Sequence, residues 1–310
     1  MHIGRTPFSR QAYDVREGGV FMFTNSKFKV GDIVTRKSHG YDMLFQILDI
    51  DKEDKTAALI GLDYRLMADA PLDDLVKVNE DEMQKMRSAY EQKHLEAMRL
   101  IQQERRSTRE KNTWRQVNHI KDIGGSFDWP GKVLHVDGDR GYLKKCLAVY
   151  QELKVPAIGY HYPEKEFPEA ILPLLNKHSP DILVLTGHDA LQSKRGPADD
   201  LNSYRHSKYF VQAVEKARMF QQSKDSLVIF AGACQSHFEA ILEAGANFAS
   251  SPKRINIHTL DPVYIAEKVA YTSIQQSINI FDMVKNTITG IEGVGGLESK
   301  GCFRFGIPKP

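Results

Sequence analysis

The sequence has no apolar run approaching the roughly 18 residues that a membrane-spanning helix needs. Its start lacks an apolar segment leading to a small-residue cleavage site, the mark of a secretory signal. Neither membrane insertion nor export is indicated, so a cytoplasmic protein is expected. Cysteine is scarce as well. Cys146, Cys234 and Cys302 are odd in number, far apart and outside any CxxC arrangement. A disulfide framework and a thiolate zinc site both lack their spacing, and a reducing compartment is expected. An excess of charge of one sign is missing too: 42 Lys and Arg against 40 Asp and Glu give a net charge of +2. That balance argues against a nucleic-acid coat and against an acidic solvating tail. No internal repeat is visible.

What is present is enough apolar material for a full core: 310 residues, 41% hydrophobic, a length that suggests two domains. Residues 1–26 are polar, without sustained period and with Gly18-Gly19, and read as a weakly ordered arm in which Met22 is an alternative start. From Phe28 the stretches FKVGDIVTRKS, MLFQILDID, TAALIGLDYRLMAD and LVKV read as short strands separated by turn residues. They predict a small antiparallel barrel over 27–79, which resembles SH3-like modules. Residues 80–118 carry Met83, Met86, Tyr90, His94, Met98 and Ile101 at three- and four-residue steps, the stripe of a long linker helix. Its basic cluster of Arg99, Arg105, Arg106, Arg109 and Lys111 reads as a solvated face.

After Trp129-Pro130 the rhythm changes. KVLHVD, PAIGY, DILVLT and LVIFA are β-rich segments without polar alternation, and helical patterns lie between them near 141–154, 166–177 and 205–222. Continuous apolar strands alternating with amphipathic helices predict a parallel sheet covered on both faces over 130–310. In such sheets functional groups collect beyond the carboxyl ends of the strands. The residues there are Asp137-Gly138-Asp139, His161, Gly187-His188-Asp189 and Gly232-Ala233-Cys234.

Among these, Cys234 and His188 make a nucleophile and a base. A cysteine where a strand gives way to a helix is expected to feel the positive helix terminus, which favours thiolate. An imidazole at His188 could take the thiol proton and return it to a leaving amine. Backbone N–H groups of Cys234 and Asp189 are the candidates to face an oxyanion, and Gly187, Gly232 and Ala233 leave room for substrate backbone. His237, three residues after Cys234, is the alternative base. Cys234 with His237 alone is too few ligands for a metal. Cys146, on one helical face with Leu143, Leu147 and Tyr150, reads as core, as does His135. Cys302, beside Phe303 and Phe305, reads as a late strand residue.

Strand-Gly-His followed 46 residues later (234 − 188) by strand-x-Ala-Cys resembles caspase-like cysteine peptidases, the fold shared with clostripain, gingipain and separase. This chain departs from them in having His188-Asp189-Ala190 where they usually have His-Gly, and Gly232 where caspases have Gln. A closer resemblance covers nearly the whole chain. FKVGDIVTRKS, KVLHVDGDRGYLKKC, PDILVLTGHDA and VIFAGACQSHFEAILEAGANFASSP look like the YabG-type sporulation-specific peptidases. That resemblance implies a cysteine peptidase made in the mother cell of an endospore-forming bacterium, acting on spore coat proteins or their precursors. Protein substrates are then the partners, and Cys–His chemistry needs no metal or organic cofactor.

In caspase-like folds the first strand's carboxyl end borders the pocket for the residue preceding the scissile bond. Here that loop, HVDGDRG, offers Asp137 and Asp139, with Asp189 nearby as a third acid. A carboxylate there could bind a substrate guanidinium through two hydrogen bonds, so cleavage after Arg is expected. Two rival readings stand beside this one. Gly232-Ala233-Cys234-Gln235-Ser236 also resembles the nucleophile elbow of glutamine amidotransferase-like enzymes, with His258 as base, although the elbow's final Gly is absent. A non-enzymatic coat-assembly scaffold would leave Cys234 replaceable.

Overall fold

The computed structural model describes residues 28–120, 126–192 and 195–307; the arm expected over residues 1–26 lies outside them. The N-terminal strands are β1 (Ile33–Arg36), β2 (Phe45–Asp51), β3 (Thr56–Gly61), β4 (Met67–Pro71) and β5 (Leu75–Lys77). They form one antiparallel sheet in the order β4-β3-β2-β1-β5. Burial alternates along β3, which turns Ala57 and Leu59 onto Val34, Phe45, Ile47, Ala70 and Leu75, as the period-2 pattern of a half-buried strand requires.

The run TAALIGLDYRLMAD, expected as one strand, is broken in its middle. Gly61 N–H donates to Leu66 O and Leu66 N–H to Tyr64 O, both at 2.8 Å, which pinches Leu62–Leu66 out of the sheet. Apolar periodicity alone gave no sign of this, because Leu62, Tyr64 and Leu66 keep the alternation of a strand.

Helix α1 (Glu80–Ile120) opens with Asn79 Oδ1 accepting from Glu82 N–H at 2.8 Å, and with Glu80, Asp81 and Glu82 against the positive end of the helix. It is more than a linker, since Ala97, Met98 and Ile101 are buried in one core with Val133, Val184 and Phe230 of the central sheet. Arg105 departs from the solvated face expected of it. Its Nε is 2.6 Å from Glu267, it donates to Leu153 O at 2.8 Å, and its guanidinium lies 3.3 Å from the centre of the Tyr271 ring. Arg109 and Lys111 have side chains outside those described.

The remaining elements are β6 (Phe127–Trp129), β7 (Val133–Asp137), α2 (Arg140–Glu152), β8 (Ala157–His161), α3 (Phe167–His178), β9 (Ile182–Thr186) and α4 (Ser207–Phe220). After them come β10 (Val228–Ala231), α5 (Phe238–Glu243), β11 (Phe248–Ser250), α6 (Asp261–Tyr271), β12 (Ser277–Ile278), α7 (Ile280–Val284), β13 (Val294–Gly296), β14 (Ser299–Lys300) and β15 (Arg304–Gly306). The central sheet has six strands in the order β8-β7-β9-β10-β11-β13, parallel except for β13. Cys302 lies between β14 and β15 and is core rather than strand.

Alternate residues of the buried strands serve two separate cores. Val133, Val184, Val228 and Phe230 face α2, α6 and α1, while Leu134, Val136, Leu183, Leu185 and Ile229 face α3 and α4. Chain order reverses between β7 and β9, the crevice where open α/β sheets place their ligands. Asp137 ends one of these strands, and Thr186, before Gly187-His188, ends the other. Among the described residues no helix is long and apolar enough to cross a membrane.

Candidate active site

His188 follows β9 and is 7% exposed. Its backbone N–H donates to Glu164 Oε1 at 2.7 Å, and its Nδ1 lies 3.4 Å from the same oxygen. Its Nε2 is buried with no hydrogen-bond partner among the described residues, facing Asp139 Oδ2 at 3.7 Å. Glu164 lies just past β8. Burial pushes its carboxyl up, but the hydrogen bonds from His188 and the charge of His206 outweigh this and hold it below its ordinary value. Gly138 and Gly187, at the ends of β7 and β9, make the room it needs, because a Cβ at either position would run into the Glu164 side chain.

Cys234 lies beyond β10 and is 0% exposed. The turn that holds it has positive φ at Gly232 (115°) and at Gln235 (55°), the second a strained conformation for a non-glycine residue. Gln235 is fixed there by its N–H on Ile255 O (3.1 Å) and by Leu191 N–H on its Oε1 (3.3 Å). The sulfur accepts from Ile257 N–H at 3.3 Å and lies 3.8 Å from Ile257 O. The expected helix terminus is displaced: α5 starts at Phe238 with His237 as its N-cap. No helix N-terminus therefore begins at the thiol itself. Burial pushes it up to about 12, against the lowering effects of Ile257 N–H and Arg65. Burial likewise pushes Cys146 and Cys302 up to about 12.

Tyr142 packs beside His188. Its ring centre is 5.7 Å from that of His188. Its phenol is held up by burial, with Asp139 and Cys234 adding to the effect and Arg65 opposing it. Asp189 ties the two loops together. Its Oδ2 accepts from Ser236 Oγ at 2.9 Å, Ser236 Oγ accepts from Ala233 N–H at 2.9 Å, and the same carboxylate binds Ser207 Oγ and His206 N–H. These bonds fill it, and burial raises its pKa in spite of them. Asp189 is thus a strut between the His188 and Cys234 loops. Among the described residues the backbone N–H groups of Cys234 and Asp189 have no protein acceptor.

The other acids and imidazoles separate by what they already bind. Asp139 caps α2 through Tyr142 N–H at 2.8 Å and keeps its second oxygen toward His188. Asp137 is fully buried. It accepts from Arg65 Nη1 at 2.6 Å, from Thr186 Oγ1 at 2.9 Å and from Asp139 N–H at 2.9 Å. The Arg65 guanidinium, aided by His135, overcomes burial and holds this carboxyl far below its ordinary range. His237 is engaged through both ring nitrogens, Nδ1 accepting from Ala240 N–H and Nε2 lying 3.1 Å from Asp199 O. His258 accepts Leu260 N–H on Nδ1, stands edge-on to Tyr64, and is pushed down to about 3 by burial, with Lys145 and other cations adding to the effect. His135, Asp137 and Cys146 place ligand atoms within 4.8 Å of one another. Arg65 donates to two of the three, so an arginine is the cation of that cluster.

Residues 29–308 match the model of the YabG peptidase U57 family. The chain belongs to that family. It is 47% identical over 285 residues to the sporulation-specific protease YabG of Bacillus subtilis (strain 168), covering 91% of this chain and 98% of the relative. Membership in the YabG family makes the protein a peptidase, in agreement with the hydrolase expected from its Cys and His.

Sequence reasoning missed Glu164, Tyr142 and Arg65. Glu164 lies three residues past His161, the last residue of β8, and so is not itself at a strand end. The Arg65–Asp137 pair joins residues 72 apart in the chain and gives the YabG fold a stability test. Asp137→Ala strands a guanidinium in the interior and should cost about 3–5 kcal/mol of unfolding free energy in a denaturant titration. A loss below about 1 kcal/mol, the scale of exposed pairs, would mean that water reaches the cluster. The carboxyl is depressed in the folded state. Its contribution is therefore present above about pH 4, the ordinary carboxylate range, and is lost as the pH falls through the native value.

Proposed function

We propose that the protein is a cysteine endopeptidase with Cys234 as nucleophile and His188 as base, cleaving after arginine in spore coat proteins or their precursors. The observation that carries this reading is the unpartnered buried Nε2 of His188. The His188 ring has Glu164 on the Nδ1 side and Tyr142 beside it, and the Asp189 carboxylate ties its loop to that of Cys234 through Ser236. Glu164 on the Nδ1 side keeps a proton there, which leaves Nε2 as the basic nitrogen. Nε2 takes the thiol proton as the sulfur attacks the scissile carbonyl, and the Cys234 and Asp189 N–H groups receive the oxyanion. The imidazolium then gives its proton to the departing amine, leaving an acyl-enzyme that water hydrolyses.

The strand order β8-β7-β9-β10-β11 with antiparallel β13 supports a caspase-like catalytic domain from about residue 130, and the β1–β5 sheet supports an SH3-like barrel over 27–79. The name of the Bacillus subtilis relative supports a role in sporulation. The mother-cell cytoplasm and the spore coat are the locations this reading assigns. His237 is assigned a capping role, and no observation favours the His258-based amidotransferase-like reading.

Arginine preference rests on the acids of the β7–α2 loop and on the guanidinium already paired with Asp137. Two fluorogenic peptides, identical except for Arg or Asp before the scissile bond, test it. The Arg peptide should have the higher kcat/KM by about 10²-fold or more, since a site built around a buried carboxylate strongly rejects what cannot pair with it. Asp137→Ala or Asp139→Ala should erase that ratio. A preference for Asp, or an Arg preference untouched by both substitutions, would remove this loop from the pocket.

A further inference from the structure

The Leu62–Leu66 loop leaves the N-terminal sheet and lies across the site. Its main chain is held along its length. The single Tyr142 Oη–H is shared between Gly61 O and Tyr64 O (2.8 Å to the latter), and Lys145 Nζ donates to Leu62 O at 2.6 Å. Thr259 N–H donates to Asp63 O at 2.9 Å, and Arg65 N–H to Ile257 O at 3.4 Å. Tyr64 and His258 form an antiparallel bridge between these last two bonds. Asp63–Arg65 is therefore a short strand laid against Ile257–Thr259, and Ile257 also donates to the Cys234 sulfur.

One side chain of the loop is fully enclosed. Arg65 is 0% exposed; its Nη1 is on Asp137, and its Nη2 is 3.2 Å from Cys146 Sγ and 3.3 Å from Thr259 O. Main-chain pairing that ignores sequence, combined with one pocket that reads a side chain, is how an extended peptide is recognised. A peptidase must hold its substrates in this way, because the backbone is what they share.

We propose that the β3–β4 loop is a tethered substrate mimic: Asp63–Arg65 occupies the substrate strand site along Ile257–Thr259, Arg65 fills the arginine pocket of Asp137, Cys146 and Thr259, and the resting enzyme is latent until this loop withdraws. The proposal rests on the peptidase reading above. It accounts for a nucleophile that is 0% exposed and a base that is 7% exposed in the same arrangement. A tethered competitor acts at an effective concentration of about millimolar, above the KM range of most enzymes, so about 10-fold or greater suppression is expected. A purely structural tie between the domains predicts no gain of reactivity when it is cut.

The test uses the full chain as parent, Arg65→Ala and Arg65→Lys. An arginyl chloromethyl ketone is applied near neutral pH, and Cys234 labelling is followed by peptide mapping. Thermal melts with and without Nα-acetyl-arginine amide run in parallel. Arg65→Ala should label at Cys234 about 10-fold or more faster than the parent. The amide should slow that labelling and raise the melting temperature of Arg65→Ala, and it should not raise that of the parent, whose pocket is full. If Arg65→Ala does not fold, Arg65→Lys keeps a cation on Asp137 but lacks the planar fork, and it should still label faster than the parent. Labelling of Cys234 at one rate in parent and variants overturns the latch and leaves the peptidase reading standing. Stabilisation by the amide without labelling of Cys234 keeps the loop in an arginine pocket and removes the nucleophile. Neither effect in a folded variant overturns the proposal.

Discussion

Cys234→Ala and Cys234→Ser should each lose peptide-bond hydrolysis by about 10⁵–10⁶-fold, the scale on which removing a protease nucleophile acts. The two substitutions differ in what they do to the turn. Alanine leaves the buried Ile257 N–H without the sulfur acceptor it has at 3.3 Å, a loss of about 1–3 kcal/mol. Serine keeps an acceptor there, so its melting temperature should stay with the parent. Its alcohol, however, is a poor nucleophile beside a thiol activated by imidazole. A serine variant folded like the parent but without activity assigns the loss to chemistry. Retention of more than a few per cent of parental kcat/KM by either variant would place the nucleophile elsewhere. The non-enzymatic scaffold predicts no change in any assay, and membership of a peptidase family already weighs against it.

The expectation of a reactive thiol rests on a helix terminus beside it, and the reason that terminus lies elsewhere is local. Ser236 turns its hydroxyl back onto Ala233 N–H and toward Asp189, and Gln235 adopts φ 55°, so the first helical residue is Phe238. Gln235 N–H is spent on Ile255 O and His237 N–H on Ser207 Oγ, and the helical N–H groups lie beyond them. With the loop seated, Cys234 should therefore alkylate no faster than Cys146 and Cys302.

Four of the five parallel strands, β7 to β10, were legible to within a residue or two, and β11, three residues long, was not. KVLHVD, DILVLT and LVIFA are apolar on both faces, and only a strand between two helical layers has use for that pattern. The rule that sites gather past carboxyl ends put Asp137, His188 and Cys234 on the candidate list, and the structure places all three just beyond or at those ends. That rule could not find Arg65, whose neighbours look like continuous strand and whose partner lies 72 residues away in the central sheet. Nor could it find Glu164, whose position depends on a 3-10 turn (Glu164–Glu166) and on two glycines in other loops. Local pattern carries the sheet, and the site is completed by contacts that no local pattern encodes.

His188→Ala should lower kcat by about 10²–10⁴-fold, the usual worth of a positioned general base. Glu164→Gln should come close to it. The glutamine can still accept the His188 backbone N–H through its oxygen, so the loop stays in place. Its uncharged amide removes the negative oxygen that stands 3.4 Å from Nδ1. The imidazole is then free to carry its proton on Nε2, where it cannot accept one from sulfur, and the imidazolium formed in the first step loses its counter-charge. The effect should fall on kcat, with KM nearly unchanged, because Glu164 acts through His188 and does not touch the peptide. His237→Ala is the contrasting variant. Its ring is spent on Ala240 N–H and Asp199 O, so it should cost about 0.5–2 kcal/mol of stability as a lost helix cap and leave kcat at the parental level. An active His188→Ala enzyme beside an inactive, folded His237→Ala enzyme would exchange the two roles. A Glu164→Gln enzyme with parental kcat would leave the orientation of His188 to Asp139, whose Oδ2 lies 3.7 Å from Nε2.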